Sequence, residues 1–60
     1  MRSKDFELWL KEAIYLMNEE EPIVNRVDTF KEASILSGND GLVIKNENGE
    51  EFQITIVKSK

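Results

Sequence analysis

The first third of the chain carries apolar residues at helical spacing. Over residues 4–20 they recur on one broad face at about 100° per residue. The members of this face are Phe6, Trp9, Leu10, Ala13, Ile14, Leu16 and Met17. Ser3 and Asp5 are candidate caps, and Pro22 ends the segment because a residue before proline is forced out of the helical region. The pattern predicts an amphipathic helix, here called helix 1, whose apolar face is buried.

Two apolar residues of the same segment, Leu8 and Tyr15, lie outside that face. They are seven positions apart and project together on the opposite side, between Lys11 and Glu12. Two unrelated surface residues would explain them, since exposed apolar residues are common on soluble proteins. The alternative is a helix that packs on both sides, against its own hairpin and against a partner or a second copy.

The last third of the chain has the alternation of a β-hairpin. Two apolar runs, residues 42–45 and 52–57, flank a polar stretch at residues 46–50 that contains Asn48 and Gly49. This predicts two paired strands. Their inner face needs a cover, and helix 1 is the only element long enough to provide it.

The register of the hairpin follows from the turn. A two-residue turn would place apolar residues opposite polar ones and mix both kinds on each face. A three-residue loop with Gly49 in the left-handed conformation instead pairs Ile44 with Phe52 and Leu42 with Ile54. Nearly all the large apolar side chains then share one face, so we predict the three-residue loop.

The middle of the chain predicts two shorter elements. Residues 23–27 are rich in β-branched side chains and form either an extended connector or a brief edge strand. Residues 29–36 predict a short second helix, because Thr29 and Glu32 have the spacing of a capping box and Gly38 stands where helices commonly end. The side chains expected to point inward are Phe30, Ala33 and Leu36.

These elements predict one α+β domain over residues 1–60. Its order is an N-terminal helix, a short connector or edge strand, a short second helix, and a C-terminal hairpin packed on helix 1. A chain of 60 residues removes only about 60% of its unfolded surface on folding, and it has no cysteine for a disulfide. Self-association, most simply as a homodimer, is therefore one expectation.

Composition excludes most catalytic and metal chemistry. The chain has neither cysteine nor histidine, so it lacks thiolate and imidazole groups for nucleophilic catalysis, proton transfer or zinc binding. Its three glycines do not form a phosphate-binding loop. We expect no enzyme activity, no cofactor and no small-molecule substrate. Charged residues interrupt every apolar run, and we expect a cytoplasmic protein without a membrane segment.

Charge favours a protein partner over nucleic acid. The net charge is −4, which opposes attraction to phosphate backbones and anionic lipid. The one charge run, Glu19, Glu20 and Glu21, ends helix 1 and is either a solvated helix end or an acidic patch that contacts a basic partner. The residues predicted to contact a partner are Leu8, Tyr15, Glu12, Glu19, Glu20 and Glu21.

Two resemblances bear on function. Residues 29–38 resemble the first helix of small helix-turn-helix or excisionase-type proteins, in which a T-x-x-E-A pattern precedes a glycine. This chain continues with Asn39, Asp40 and Gly41 where those proteins have a basic recognition helix, which argues against DNA binding. Residues 29–57 resemble short proteins of unknown function encoded in tailed-phage and prophage genomes.

The second resemblance implies a phage accessory protein that binds a host or defence protein in a fixed ratio. The sequence thus favours an acidic protein-interaction module that acts by stoichiometric binding or inhibition. A homo-oligomeric structural component is the alternative, and an excisionase-like DNA-binding protein is disfavoured by charge.

Overall fold

The computed structural model describes residues 1–60 as one helix packed on a three-stranded antiparallel sheet. The elements are α1 (Ser3–Glu20), β1 (Val24–Thr29), β2 (Asp40–Asn46) and β3 (Glu51–Ile56). The strand order follows the chain, so β2 is central and both β1 and β3 are edges. The predicted α+β class is confirmed, although one of the two predicted helices is absent.

Helix α1 matches the prediction for helix 1 to within one residue. Asp5 accepts a hydrogen bond from the backbone N–H of Arg2 at 3.2 Å, as expected for a residue of the first turn. The helix ends at Glu20, two residues before Pro22. It is not apolar enough over its length to cross a membrane.

The β2–β3 hairpin has the predicted register. Ile44 lies opposite Phe52 and Leu42 opposite Ile54. Gly49 has a φ of +87°, the left-handed conformation that the three-residue loop requires. The burial of one apolar face therefore selected this turn over the two-residue alternative.

The segment at residues 23–27, predicted as a connector or an edge strand, contributes to strand β1. Val27 pairs with Ile44 and Thr29 with Leu42, and the register slips between Val24 and Arg26, which is the mark of a bulge. The edge-strand alternative is therefore confirmed, and the strand runs two residues beyond the predicted segment.

The second helix predicted over residues 29–36 is wrong. The capping box itself forms: Glu32 N–H donates to the Thr29 hydroxyl at 3.1 Å, and Thr29 N–H donates to the Glu32 carboxylate at 2.9 Å. The chain then makes only a turn, and it reverses at Ser34, whose φ is +58°. Leu36, predicted to point inward, is fully exposed.

Tertiary contact explains why this turn does not extend into a helix. Phe30 is buried and its ring lies where a side chain on Gly41 would be. Phe30 N–H also donates to Gly41 O at 3.0 Å, and the turn closes with Ile35 N–H donating to Phe30 O at 2.8 Å. These contacts hold the segment against the outer face of the sheet. A regular helix over residues 29–36 would lose these two hydrogen bonds.

The face that α1 buries differs from the predicted one. Leu10, Ala13 and Ile14 are half-buried as expected, but the other four residues of the predicted apolar face are exposed: Phe6, Trp9, Leu16 and Met17. Glu7 is buried in their place, at 5% exposure. The helix is rotated relative to the prediction, because polar contacts to the sheet orient it as well as apolar ones.

The buried core is correspondingly small. Only seven of the 60 residues are buried, and the fully enclosed side chains are Leu42 and Val27 on β2 and β1. Helix α1 packs mainly on those two strands. The inner face of β3 is left partly uncovered, and that asymmetry defines the site described below.

Candidate interaction surface

Two open apolar cavities lie between α1 and the sheet, and each includes a residue of the inner face of β3. One lobe, of about 330 Å³, lies between the C-terminal half of α1 and all three strands, and its apolar lining residues are Leu10, Ile14, Met17, Ile23, Val24, Ile44 and Ile54. A second lobe, of about 220 Å³, lies nearer the chain termini and includes Phe6 and Ile56. We call these two lobes the α1–β3 groove. Most of its lining is hydrocarbon, so water inside it contacts few polar groups.

Large apolar side chains surround this groove. Trp9 stacks on Phe6 with ring centroids 5.7 Å apart and an angle of 22° between the rings. Trp9 is 58% exposed, and Phe52, which shares the inner face of β3 with Ile54, is 53% exposed. Met17, which lines the groove, is also exposed, whereas the exposed Leu16 lies beside Glu12, Tyr15 and Glu19. Continuous apolar surface of this kind marks binding sites more often than scattered single residues do.

The free edge of β3 borders the groove and has no partner. In an antiparallel pair, successive residues alternately bond to the neighbouring strand and point away from it. Asn46 N–H donates to Glu50 O at 3.0 Å, so Glu50 and every second residue after it bond to β2. Glu51, Gln53 and Thr55 therefore direct their N–H and C=O groups away from β2. No side chain and no other backbone group of the protein bonds to them.

The free edge of β1, on the opposite side of the sheet, is covered by side chains of α1. The amide of Asn18 donates to Val24 O at 2.9 Å and accepts from Val24 N–H at 2.8 Å, as a neighbouring strand would. The Tyr15 hydroxyl donates to Val27 O at 3.3 Å. Asn18 had no role in the prediction from sequence, and only its position one turn before Pro22 could have suggested one.

The end of β1 is closed by the turn that follows it. Thr29 N–H donates to Glu32, and Thr29 O accepts from Ala33 N–H at 2.9 Å. Glu32 also accepts from Lys11 of α1 at 3.1 Å. The hydrogen bond from the Thr29 backbone, followed by that from Lys11, lowers the pKa of Glu32 from 4.5 to about 2. Glu32 is therefore ionised wherever the protein is near neutral pH.

Two further polar groups orient β1 and α1. On the outer face of the sheet, Arg26 Nε lies 2.8 Å from the Asp28 carboxylate, and this hydrogen-bonded pair raises the pKa of Arg26. Glu7 accepts the N–H of Gly41 at 3.1 Å. That N–H lacks its usual strand partner because Phe30 O is bonded to Ile35. Glu7 thus replaces a missing carbonyl and fixes the rotation of α1.

Of the residues predicted to contact a partner, Glu21 lines the groove and the other five lie outside it. Leu8 and Tyr15 are on the β1 side of α1, and the hydroxyl of Tyr15 already bonds to Val27, so part of that stripe has a structural role. Glu12 and Glu19 are exposed beside Tyr15. Glu20 and Glu21 are exposed where the helix ends. None of the four glutamates forms an ion pair within the protein. The structure brings Glu12, Tyr15 and Glu19 together and leaves Glu20 and Glu21 apart.

No three carboxylates converge at a spacing that would hold a metal ion. Comparison of the chain with protein-family models, with curated proteins and with solved structures gives no match. The surface with the most distinctive physical character is the α1–β3 groove together with the free β3 edge.

Proposed function

We propose that this protein is a protein-interaction module that binds another polypeptide through the α1–β3 groove and the free edge of β3. The observation that carries the proposal is their adjacency. An apolar groove offers burial, and an unpaired strand edge offers backbone hydrogen bonds. One extended segment of a partner can use both, because the edge runs alongside the groove.

The physical gain from such binding is large for a protein of this size. Phe6, Trp9 and Phe52 present aromatic surface, and buried aromatic residues commonly contribute most to interface affinity. Each 100 Å² of apolar surface removed from water contributes about 2.5 kcal/mol before the entropic costs of association. The groove therefore offers more favourable free energy to a partner than any other surface of the molecule.

Binding in a fixed ratio is the mode of action that fits this surface. The chain lacks the thiol and imidazole groups that most catalytic sites use, so we assign its effect on a partner to occupying that partner. This fits the phage or prophage accessory role that the resemblance of residues 29–57 implies, with inhibition of a host or defence protein as the outcome.

The acidic face of α1 supplies a second set of contacts in this proposal. Leu8, Glu12 and Glu19 are exposed on the side away from the groove. Charges at the rim of an interface chiefly raise the association rate and set specificity. We assign this face to contacting a basic partner, separately from the polypeptide that the groove holds.

A photo-cross-linking phenylalanine analogue tests the groove directly. Placed at position 52 in cells that produce the protein, it should give one discrete adduct, either with a second copy or with another protein. The same analogue at position 36 is the matched control, since Leu36 is fully exposed but distant from β3. Phe6→Asp should reduce the adduct at position 52.

Equal yields at positions 52 and 36 would contradict the proposal, because they would mean that β3 is no more occupied than ordinary surface. Replacing Glu19, Glu20 and Glu21 by glutamine tests the steering role separately. Where the adduct is with a foreign protein, its formation should then slow while its final yield is kept.

A further inference from the structure

The accessible surface of the monomer is larger than its mass accounts for. It measures 4769 Å² for a chain of 7.0 kDa. Folded monomers of that mass expose about 4,000 Å², so about 700 Å² is in excess. Each partner in a standard-size protein interface buries roughly 800 Å². The surplus is therefore close to what one copy would bury in a stable dimer.

The free edge of β3 is suited to pairing with itself. Two antiparallel strands related by a two-fold axis exchange hydrogen bonds symmetrically, so the same surface serves both copies. The groups available are the outward N–H and C=O of Glu51, Gln53 and Thr55. Registers that place these odd-numbered residues opposite one another satisfy them. Of these registers, the two that overlap β3 most fully have Gln53 or Ile54 opposite its own copy.

Charge and burial decide between these two registers. With Gln53 at the centre, Glu50 would lie opposite Ile56, a residue only 9% exposed on the inner face, and a carboxylate would be pressed against hydrocarbon. With Ile54 at the centre, Phe52 lies opposite Ile56 of the second copy. Glu50 then lies opposite Lys58 of the second copy. Because of the two-fold symmetry, this pair of opposite charges occurs at both ends of the paired strands.

We propose that the occupant of the α1–β3 groove is a second copy of this chain, joined through antiparallel pairing of β3 with β3 about a two-fold axis at Ile54. The result is a continuous six-stranded sheet with both helices on one face. The exposed side chains beside the groove, Phe6, Met17 and Phe52, fill the space between the two helices. This inference rests on the proposed function and names its partner.

Single cysteines test the register, because the chain has no cysteine of its own. In the dimer, Ile54→Cys places two thiols on directly opposed residues, whose Cβ atoms lie within about 5.5 Å. At micromolar protein, oxidation should link this variant about 1,000-fold faster than Leu36→Cys, because the effective concentration within a dimer is millimolar. Faster linkage of Gln53→Cys than of Ile54→Cys would overturn the inference.

Sedimentation of the purified, unmodified protein gives the second measurement. The expected mass is that of two chains, and Phe52→Asp should shift it to one while circular dichroism shows an unchanged fold. Phe52 is half-exposed in the monomer, so this variant keeps the monomer core. Leu36→Asp is the control and should remain dimeric.

The outcomes separate this inference from the proposed function. A protein that stays monomeric at high concentration, yet gives an adduct of different mass at position 52 in cells, overturns the dimer and supports a foreign partner. A dimer that persists in Phe52→Asp also overturns the inference, since another surface would hold it. Absence of any adduct at position 52 overturns both.

Discussion

The two edges of the sheet have the same backbone chemistry but opposite surroundings. At β1, Asn18 and Tyr15 of α1 and Glu32 of the following turn bond to most of the outward groups of the strand, namely Val24 N–H and C=O, Val27 C=O and Thr29 N–H. At β3, no group of the protein does so, and the apolar groove lies alongside. Exposed strand edges are sites of pairing with other chains, and natural proteins usually cover them. This protein covers one edge and leaves the other open.

The difference arises from where α1 lies. The helix packs on β1 and β2, so its polar side chains reach the β1 edge while its apolar flank faces the uncovered part of β3. A helix centred on the sheet would have covered both edges equally. The displacement of one helix thus creates a closed side and a binding side in a protein of 60 residues.

The largest expected effect is at Gly41 of β2, against which Phe30 packs. Gly41→Ala should destabilise the protein by about 3 kcal/mol, because the added methyl group would collide with the Phe30 ring and Ile54 O. Chemical denaturation at a fixed chain concentration measures it. Gly38→Ala is the matched control, since nothing lies near that position, and it should change stability by less than about 0.5 kcal/mol. Equal effects would contradict this packing.

Asn18→Ala tests the covered edge against the open one. It removes both hydrogen bonds to Val24 and should cost about 2 kcal/mol in the free energy of unfolding. Gln53→Ala makes a comparable truncation on β3, where the side chain bonds to nothing within the protein, and should be nearly neutral. If the two variants lose equal stability, the β1 edge is not held by Asn18.

A smaller effect is expected for Tyr15→Phe. The variant keeps the ring and loses one long hydrogen bond to Val27 O. The free energy of unfolding should therefore fall by about 0.5 kcal/mol. The same variant also bears on the acidic face, because partner binding through Tyr15 would show a loss of affinity beyond that of folding. Thermal unfolding and binding, measured on one preparation, distinguish the two roles.

The smallest expected effect is the loss of stability at acidic pH when Glu32, which bonds to the end of β1, becomes protonated. The pKa of Glu32 is lowered from 4.5 to about 2 in the folded protein. Its ionised form therefore contributes stability that is fully present above about pH 4.5 and is lost as the pH falls towards 2. Glu32→Gln should be less stable than the unmodified protein near pH 7, and the gap should narrow below pH 4.5. A constant gap would show that the carboxylate charge is irrelevant.

Local chemistry was enough to predict the hairpin and the extent of α1. Gly49 is the residue best able to adopt the left-handed conformation of the loop, and the alternation of apolar residues then admits one register. Pro22 limits the helix in the same way, through sterics within a few residues. The capping box between Thr29 and Glu32 also forms as predicted, since it depends on residues three apart.

The candidate site was not predictable in the same way. The face of α1 with the most apolar residues was expected to be buried, yet Trp9 and Leu16 are exposed. The rotation of the helix is set partly by Glu7 bonding to Gly41, a residue 34 positions away. No local sequence pattern indicates a contact between residues so far apart in the chain. A glutamate between apolar residues is normally predicted to lie at the surface, although Glu7 is buried.

The sequence by itself therefore determined the α+β class, the first helix, the hairpin register and the absence of thiol and imidazole chemistry, because each depends on composition or on near neighbours. Only the tertiary structure decided that residues 30–34 form a turn, which side of α1 is buried, and which sheet edge stays open. Those features depend on long-range contacts of Phe30, Glu7 and Asn18, whose free energies outweigh local propensity once the chain has folded.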